Sequence, residues 1–310
     1  MGGYFFVATL KYDKPALTYS EQLARLTERG MQVDDEPRAL HYLAHLNYYR
    51  LAAYWLPFED DHASHRFRDG TRFETVLDHY LFDRELRLLL LDAIERVEVS
   101  VRGHFAYQIG SRHGPHALLQ STLFTDSNRW NYRNGLAGLL RDVQSNREVF
   151  IKHFRDQYQE PLPPIWAAVE IMSFGQLSKW ISHLAHREDR NIISRVYGLD
   201  ERLLISFLHH LSVVRNHCAH HARLWNRELA LKFVLPRDPR TLGNSLISQT
   251  GESAQRKLYN TLTTLLYLLD CISTHHRFRE HFRELIIRYD INPQHMGFPE
   301  SWRNRPLWSE

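Results

Sequence analysis

FETVLDHYLFDRELRLLLLDAIERVEVSVRGHF, residues 73–105, is the stretch on which the fold turns. From Phe73 onward Val76, Leu77, Tyr80, Leu81, Leu88, Leu91, Ile94, Val101 and Phe105 recur at a spacing near 3.6, and the pattern runs on to the breaker at Gly110 to Pro115. That period belongs to a helix with one apolar face. The spacing therefore predicts one long core helix, or two in tandem. Thr71-x-x-Glu74 precedes it in the form of a capping box, and Thr18-x-x-Glu21 has the same form nearer the N-terminus.

Outward from this stretch, further helices are predicted over Asp35 to Trp55, Tyr132 to Phe154, Pro164 to Ala185, Asp200 to His220 and Ser253 to His275. Strand-like alternation is scarce, so the fold class is all-α. Glu59 to Gly70 reads as a charged loop, Gly114 to Asn128 as a polar connection, and Glu160 to Pro164 as a proline stop that also starts the next helix. Pro236 to Gly251 is rich enough in turn residues to be a mobile loop. No segment has the composition of a flexible linker, and the division expected is an N-terminal helical region, 1–58, packed on a helical bundle, 59–310.

Composition narrows the function classes. At 310 residues with 43% hydrophobic and 24% charged content, the chain can bury a sizeable core, and no stretch approaches the roughly 18 apolar residues of a membrane span. The apolar patch Tyr4 to Leu10 follows no basic region and precedes no small-residue cleavage site, so no signal peptide and a cytoplasmic location are expected, with no membrane partner. Two cysteines, Cys218 and Cys271, are too few for a disulfide scaffold or a Cys-based zinc module, and both are expected reduced and packed. The net charge of +3 is modest. The basic residues are overwhelmingly Arg, whose planar fork suits phosphate and base stacking, although a GC-rich coding bias gives the same excess.

The most unusual segment is HHLSVVRNHCAHHARLWNR, residues 209–227, where proton-carrying groups crowd the end of an apolar helix. Asn216 and His220 lie four residues apart and share a helical face, while Arg215 sits about 100° away and converges only through its long side chain. A His with an ordinary pKa near 6.5 is suited to general acid or base work, and an adjacent Arg to holding a phosphate and its transition-state charge.

Arg215-Asn216-x-x-x-His220 resembles the Arg-x(4 to 6)-His motif of HEPN ribonucleases, and its surroundings resemble the Abi family of phage-abortive-infection proteins. The supporting segments are Leu46-Asn47-Tyr48-Tyr49-Arg50-Leu51 with Tyr54-Trp55, Ala93-Ile94-Glu95-Arg96-Val97-Glu98 with Arg102, Trp166 with Phe174-Gly175-Gln176-Leu177-Ser178, and Gly297-Phe298-Pro299 with Trp302 and Leu307-Trp308. The resemblance implies a HEPN-like helical bundle and a metal-independent endoribonuclease without cofactor. A ribose 2′-OH attacks the neighbouring phosphate and leaves a 2′,3′-cyclic phosphate and a 5′-OH. Position by position it assigns His220 to proton transfer, Arg215 to the phosphate and Asn216 to orienting one of them. HEPN nucleases are similar in using two facing motifs, whereas this chain has one clean copy. Arg96 to His104 is too widely spaced to be a second, so a symmetric homodimer is expected. An antitoxin protein or a small regulatory RNA is a further expected partner.

Other readings stay open at this stage. His221 also fits the variable gap of the motif, and Glu95 and Arg102 are candidates for support of the site. Arg223, Arg227 and Arg50 are candidates for RNA binding, with Tyr48-Tyr49 and Tyr54-Trp55 as stacking surfaces or as core. His217 and His221, at i and i+4, form a pair that one metal ion could bridge, but no Glu completes a His-Glu-x-x-His pattern. The terminal Trp302 and Trp308 are expected to dock on the bundle. A non-catalytic RNA-binding or infection-sensing module is the competing function class.

Overall fold

The computed structural model describes residues 15–247, 255–273 and 275–309. Tyr4 to Leu10 and the end of the turn-rich 236–251 stretch lie outside the described residues. The protein is all-α, with one small hairpin. The chain divides into two compact units at Leu81/Phe82.

In the first unit, helix α1 (Tyr19–Glu28) opens on the capping box expected from Thr18-x-x-Glu21. The Thr18 hydroxyl accepts the Glu21 N–H at 3.3 Å, and the Glu21 carboxylate accepts the Thr18 N–H at 2.7 Å. The single helix expected over Asp35 to Trp55 is two, α2 (Glu36–His45) and α3 (Tyr48–Trp55). Asn47 causes the break: its backbone is extended and its side chain accepts the Tyr49 N–H at 2.9 Å, which makes it an N-cap rather than an interior residue. The charged loop carries the hairpin β1 (Glu59–Asp61) and β2 (Arg66–Phe67).

The decisive stretch forms one helix, α4 (Phe73–His113). Its start departs from the expected capping box. The Thr71 hydroxyl donates to the Arg68 carbonyl, and the Glu74 carboxylate accepts the N–H groups of Asp34 and Asp35 instead. Within the second unit the buried line of α4 runs through Phe82, Leu86, Leu90, Ala93, Ile94, Val97, Val101 and Phe105, whereas Leu88, expected in the core, is 54% exposed.

Downstream, α5 (Tyr132–Ser145) and α6 (Val149–Gln157) replace the helix expected over Tyr132 to Phe154. Arg155 of α6 donates to the Val143 and Gln144 carbonyls at the end of α5, satisfying acceptors that a continuous helix would have used itself. Pro164 to Ala185 is likewise divided, into α7 (Ile165–Ala168) and α8 (Phe174–Ser182), with Ser173 and Gln176 forming a capping box between them. Helix α9 (Arg187–Arg195) follows, and α10 (Glu201–Ala219) starts at the Asp200 N-cap. Helix α11 (Arg240–Ser245) lies in the stretch expected to be a loop. Helices α12 (Leu258–Ile272) and α13 (Phe278–Arg288) complete the series.

The core of this unit is built on α10 and α12. Leu203, Leu204, Phe207, Leu208, Leu211, Val214 and Cys218 line one face of α10, which packs on α8 and α9. Each such side chain contributes roughly 1.5–3 kcal/mol by leaving water. Trp302 and Trp308 are buried against Phe282 and Phe298, so the aromatic C-terminus docks on the bundle. The Trp308 indole donates to Thr263 Oγ1 at 2.9 Å. Cys218 is packed, but Cys271, in the last turn of α12, is exposed, contrary to expectation.

Candidate functional site

The polar segment read from the sequence sits where α10 ends. Arg215 and Asn216 occupy its last turns, His220 is its C-cap, and all three side chains are exposed while Val214 and Cys218 between them point into the core. Among the described residues, no hydrogen bond or ion pair engages the side chains of Arg215, Asn216 or His220. The last turn closes as a Schellman motif: His221 N–H donates to the Cys218 carbonyl at 3.1 Å and Ala222 N–H to the His217 carbonyl at 2.9 Å. His221 takes the left-handed position with φ 57°, where glycine is the usual occupant. A backbone conformation costly for a β-carbon is thus carried by an imidazole, as it is at His65.

The strand of chain that leaves this turn is held from behind by a buried charge. Asp83 of α4, fully shut off from solvent, accepts the N–H groups of Leu224 at 3.0 Å and Trp225 at 2.6 Å and pairs with the buried Arg87 one turn along. These contacts fix the path from His220 to Trp225, and with it the exposed residues on the outer side. Sequence reading passes over Asp83 and Arg87 because they sit inside an apolar run; the available signal is an acid and a base four residues apart on a face that is otherwise apolar.

A second part of α4 borders the Arg215 end. Glu98 is half-buried, and burial pushes its carboxyl above the usual range, while Arg102 and Arg215 pull it down and Glu95 pushes it up. Arg102 pairs with Glu98 at 2.6 Å, reaches Glu170 at 3.5 Å and donates to the Met172 carbonyl at 3.0 Å. Glu95 is exposed, and Arg96 pairs with Asp92, not with Glu95 or Glu98. The structure thus brings Arg215, Glu98 and Arg102 into one electrostatic neighbourhood.

The remaining candidates are dispersed. His217 is half-buried, and burial and the charge of Arg227 both push its pKa down. Arg227 donates to the Arg223 carbonyl at 3.3 Å, and Arg223 is itself engaged within the chain. His209 is exposed and His210 buried, with Nδ1–H donating to the Leu231 carbonyl at 3.0 Å and Nε2 accepting from Thr261 at 2.8 Å. In the first unit, Arg50 is half-buried and already engaged, and Tyr54 and Trp55 belong to the core, which removes them as stacking surfaces, while Tyr49 is 75% exposed. Among the described residues no group of three or more His, Cys, Asp or Glu is placed to hold a metal ion, and no helix is long and apolar enough to cross a membrane.

An all-α chain with an exposed Arg-Asn-x-x-x-His segment at a helix end defines a class by fold and surface chemistry. The model of the family described as Abi-like protein matches residues 41–226. The chain belongs to that family. No curated protein and no solved structure matches it.

Proposed function

We propose that this Abi-like protein is an endoribonuclease of abortive-infection defence against phage, acting without a metal ion at a site composed of Arg215, Asn216 and His220 from two copies of the chain. The observation that carries the reading is the set of three exposed side chains at the end of α10, without a hydrogen bond or ion pair among the described residues, next to a segment that buried Asp83 holds in place. A reactive constellation needs such a rigid support to hold its geometry.

In this reading a His220 imidazole accepts the proton of a ribose 2′-OH as the 2′-oxygen bonds to phosphorus, and the bond from phosphorus to the 5′-oxygen breaks. The departing oxygen takes a proton from the second copy's imidazole. The products are a 2′,3′-cyclic phosphate and a 5′-OH, and the two proton transfers balance. Arg215 meets the phosphate and the negative charge that grows on it, and Asn216 orients the phosphate or the ring by hydrogen bonding.

Support for pairing of two copies comes from the outer face of α4. Leu88 and Val99 are 54% and 52% exposed, on either side of Glu95 on the helix that borders Arg215. Pairing over this face would take both apolar side chains out of water. The reading is tested by incubating purified protein with RNA in excess chelator. Cleavage with cyclic-phosphate ends is expected; products bearing 5′-phosphate and 3′-OH would point to a metal nuclease, and absence of cleavage with retained RNA binding to the sensing module.

A further inference from the structure

The first unit holds a concavity of about 480 Å³ between α1 and α3, a size typical of small-ligand sites. Arg25 and Arg29, one turn apart on α1, both line it. Burial pushes the pKa of the half-buried Tyr48 phenol up, Arg29 and Arg25 stand close enough to offset part of that rise, and Arg29 donates to the Tyr48 oxygen at 3.2 Å. Arg25 is exposed and, among the described residues, in no ion pair. The one carboxylate of the lining, Glu59, is turned to histidines, with His62 Nδ1 at 2.8 Å and His65 Nδ1 at 3.3 Å. The cationic pair therefore remains uncompensated.

Two further features complete the concavity. Tyr49 is 75% exposed and meets Tyr48 edge-on at 5.9 Å, so a ring face stays open beside the guanidiniums. Gln22 donates through Nε2 to the Leu17 carbonyl at 3.0 Å, but its Oε1, shut off from solvent, accepts no hydrogen bond among the described residues. A buried acceptor without a donor carries a desolvation cost, which a ligand N–H or O–H relieves once the amide turns its oxygen into the concavity. Arg25 in the last turn of α1 also complements the helix dipole. That role requires neither the cavity, nor the open ring, nor the orphaned acceptor.

We infer that this pocket binds a phosphorylated nucleoside, with the phosphate at Arg25 and Arg29, the base on Tyr49 and a hydroxyl or exocyclic amine donating to Gln22. A bare anion would leave the ring unused, and an apolar segment would leave two guanidiniums and an amide oxygen unmet. The ligand exists in two forms with the same chemistry, a free nucleotide and a nucleotide within an RNA strand. The site is independent of the cleavage reading, since it uses none of Arg215, Asn216 or His220.

Calorimetric titration of the full chain carrying His220→Ala, which keeps an RNA titrant intact, tests this. The titrants are the four nucleoside monophosphates, adenosine, ribose 5-phosphate and a single-stranded octaribonucleotide. Saturable binding of a monophosphate assigns the free nucleotide; binding of the octamer alone assigns the strand. In either case Arg25→Ala and Tyr49→Ala, both at exposed positions, should each weaken binding at least tenfold with the thermal midpoint unmoved. If a monophosphate binds, adenosine and ribose 5-phosphate should each bind at least tenfold more weakly than it. The inference is overturned if neither monophosphates nor octamer bind, if the two variants bind as the parent does, or if ribose 5-phosphate matches the nucleotides. Failure of wild-type protein to cleave RNA would sink the proposed function and leave this result untouched.

Discussion

His210 and His220 stand ten residues apart around one helix and meet opposite fates. His210 faces the core, where both ring nitrogens are satisfied in the neutral form and burial, first among the causes, pushes its pKa down from 6.5 to about 4. The native ring stays neutral while the unfolded ring gains a proton below about 6.5. Its contribution to stability is therefore complete above that value and is lost as pH falls from there to about 4, by roughly 3 kcal/mol in all. Urea unfolding at pH 7.5 and 4.5 should show His210→Gln, which does not titrate, losing less stability on acidification than wild type; equal losses would contradict this. His220, by contrast, has an exposed ring and no internal contact to lose. His220→Ala and Arg215→Ala should each lower RNA cleavage at least a hundredfold, in line with general acid–base and charge-stabilising roles, while unfolding free energy changes by less than about 0.5 kcal/mol. Folded variants that still cleave at the wild-type rate would remove both residues from the chemistry. From sequence the two histidines differ only in phase along the helix; for His210 a neighbour 51 positions away, Thr261, settles the outcome.

Helix α10 was legible almost to the residue, because Asp200 has the oxygen an N-cap needs and the apolar period stops where the polar cluster begins. Helix α9 was not. Its sequence is dominated by charge, and its buried Asp189 is stabilised by Arg112 and His113, each 2.9 Å away but more than seventy positions distant along the chain. No local period encodes such a partner. Helix α13 did carry a signal, Phe278, Phe282, Leu285 and Ile286 at helical spacing, although no helix is predicted there. The joint between α4 and the segment after α10 is the same kind of non-local feature as in α9, with consequences for the site. Asp83→Ala leaves the Leu224 and Trp225 amides and the Arg87 guanidinium without their acceptor in a buried place, and should cost about 3–5 kcal/mol. Denaturant unfolding measures that loss, and hydrogen exchange should show lost protection at Leu224 and Trp225 in particular. A change below about 1 kcal/mol would mean that the turn is held by something else. Replacing both charges, Asp83→Leu with Arg87→Met, should recover much of the stability, because no lone charge then stays buried.

At the scale of the molecule, one chain brings one Arg215-Asn216-His220 segment, while cyclising transfer gains from one group that takes the 2′-OH proton and another that supplies the 5′-oxygen. A two-fold axis beside the outer face of α4 would provide both, and would set two Arg215 guanidiniums around one phosphate where water is partly excluded. Sequence periodicity could not mark that face, since Leu88 reads there as a member of the core series and only its exposure sets it apart, while Val99 falls outside that series. Val99→Asp should therefore leave the fold intact, shift the protein from dimer to monomer in sedimentation, and lower cleavage in proportion to the dimer lost. Subunit mixing then separates a composite site from two independent ones. With equal amounts of wild-type and His220→Ala chains exchanged to equilibrium, only about one dimer in four carries two intact motifs, by random pairing. Activity per wild-type chain should drop by about half under a composite site, since the mixed dimers hold a single intact motif and lack one of the two proton carriers. If activity instead follows the wild-type fraction linearly, or if Val99→Asp is a fully active monomer, each chain completes its own site, and the second proton carrier must be sought within it, with His221 and Glu98 the first groups to replace.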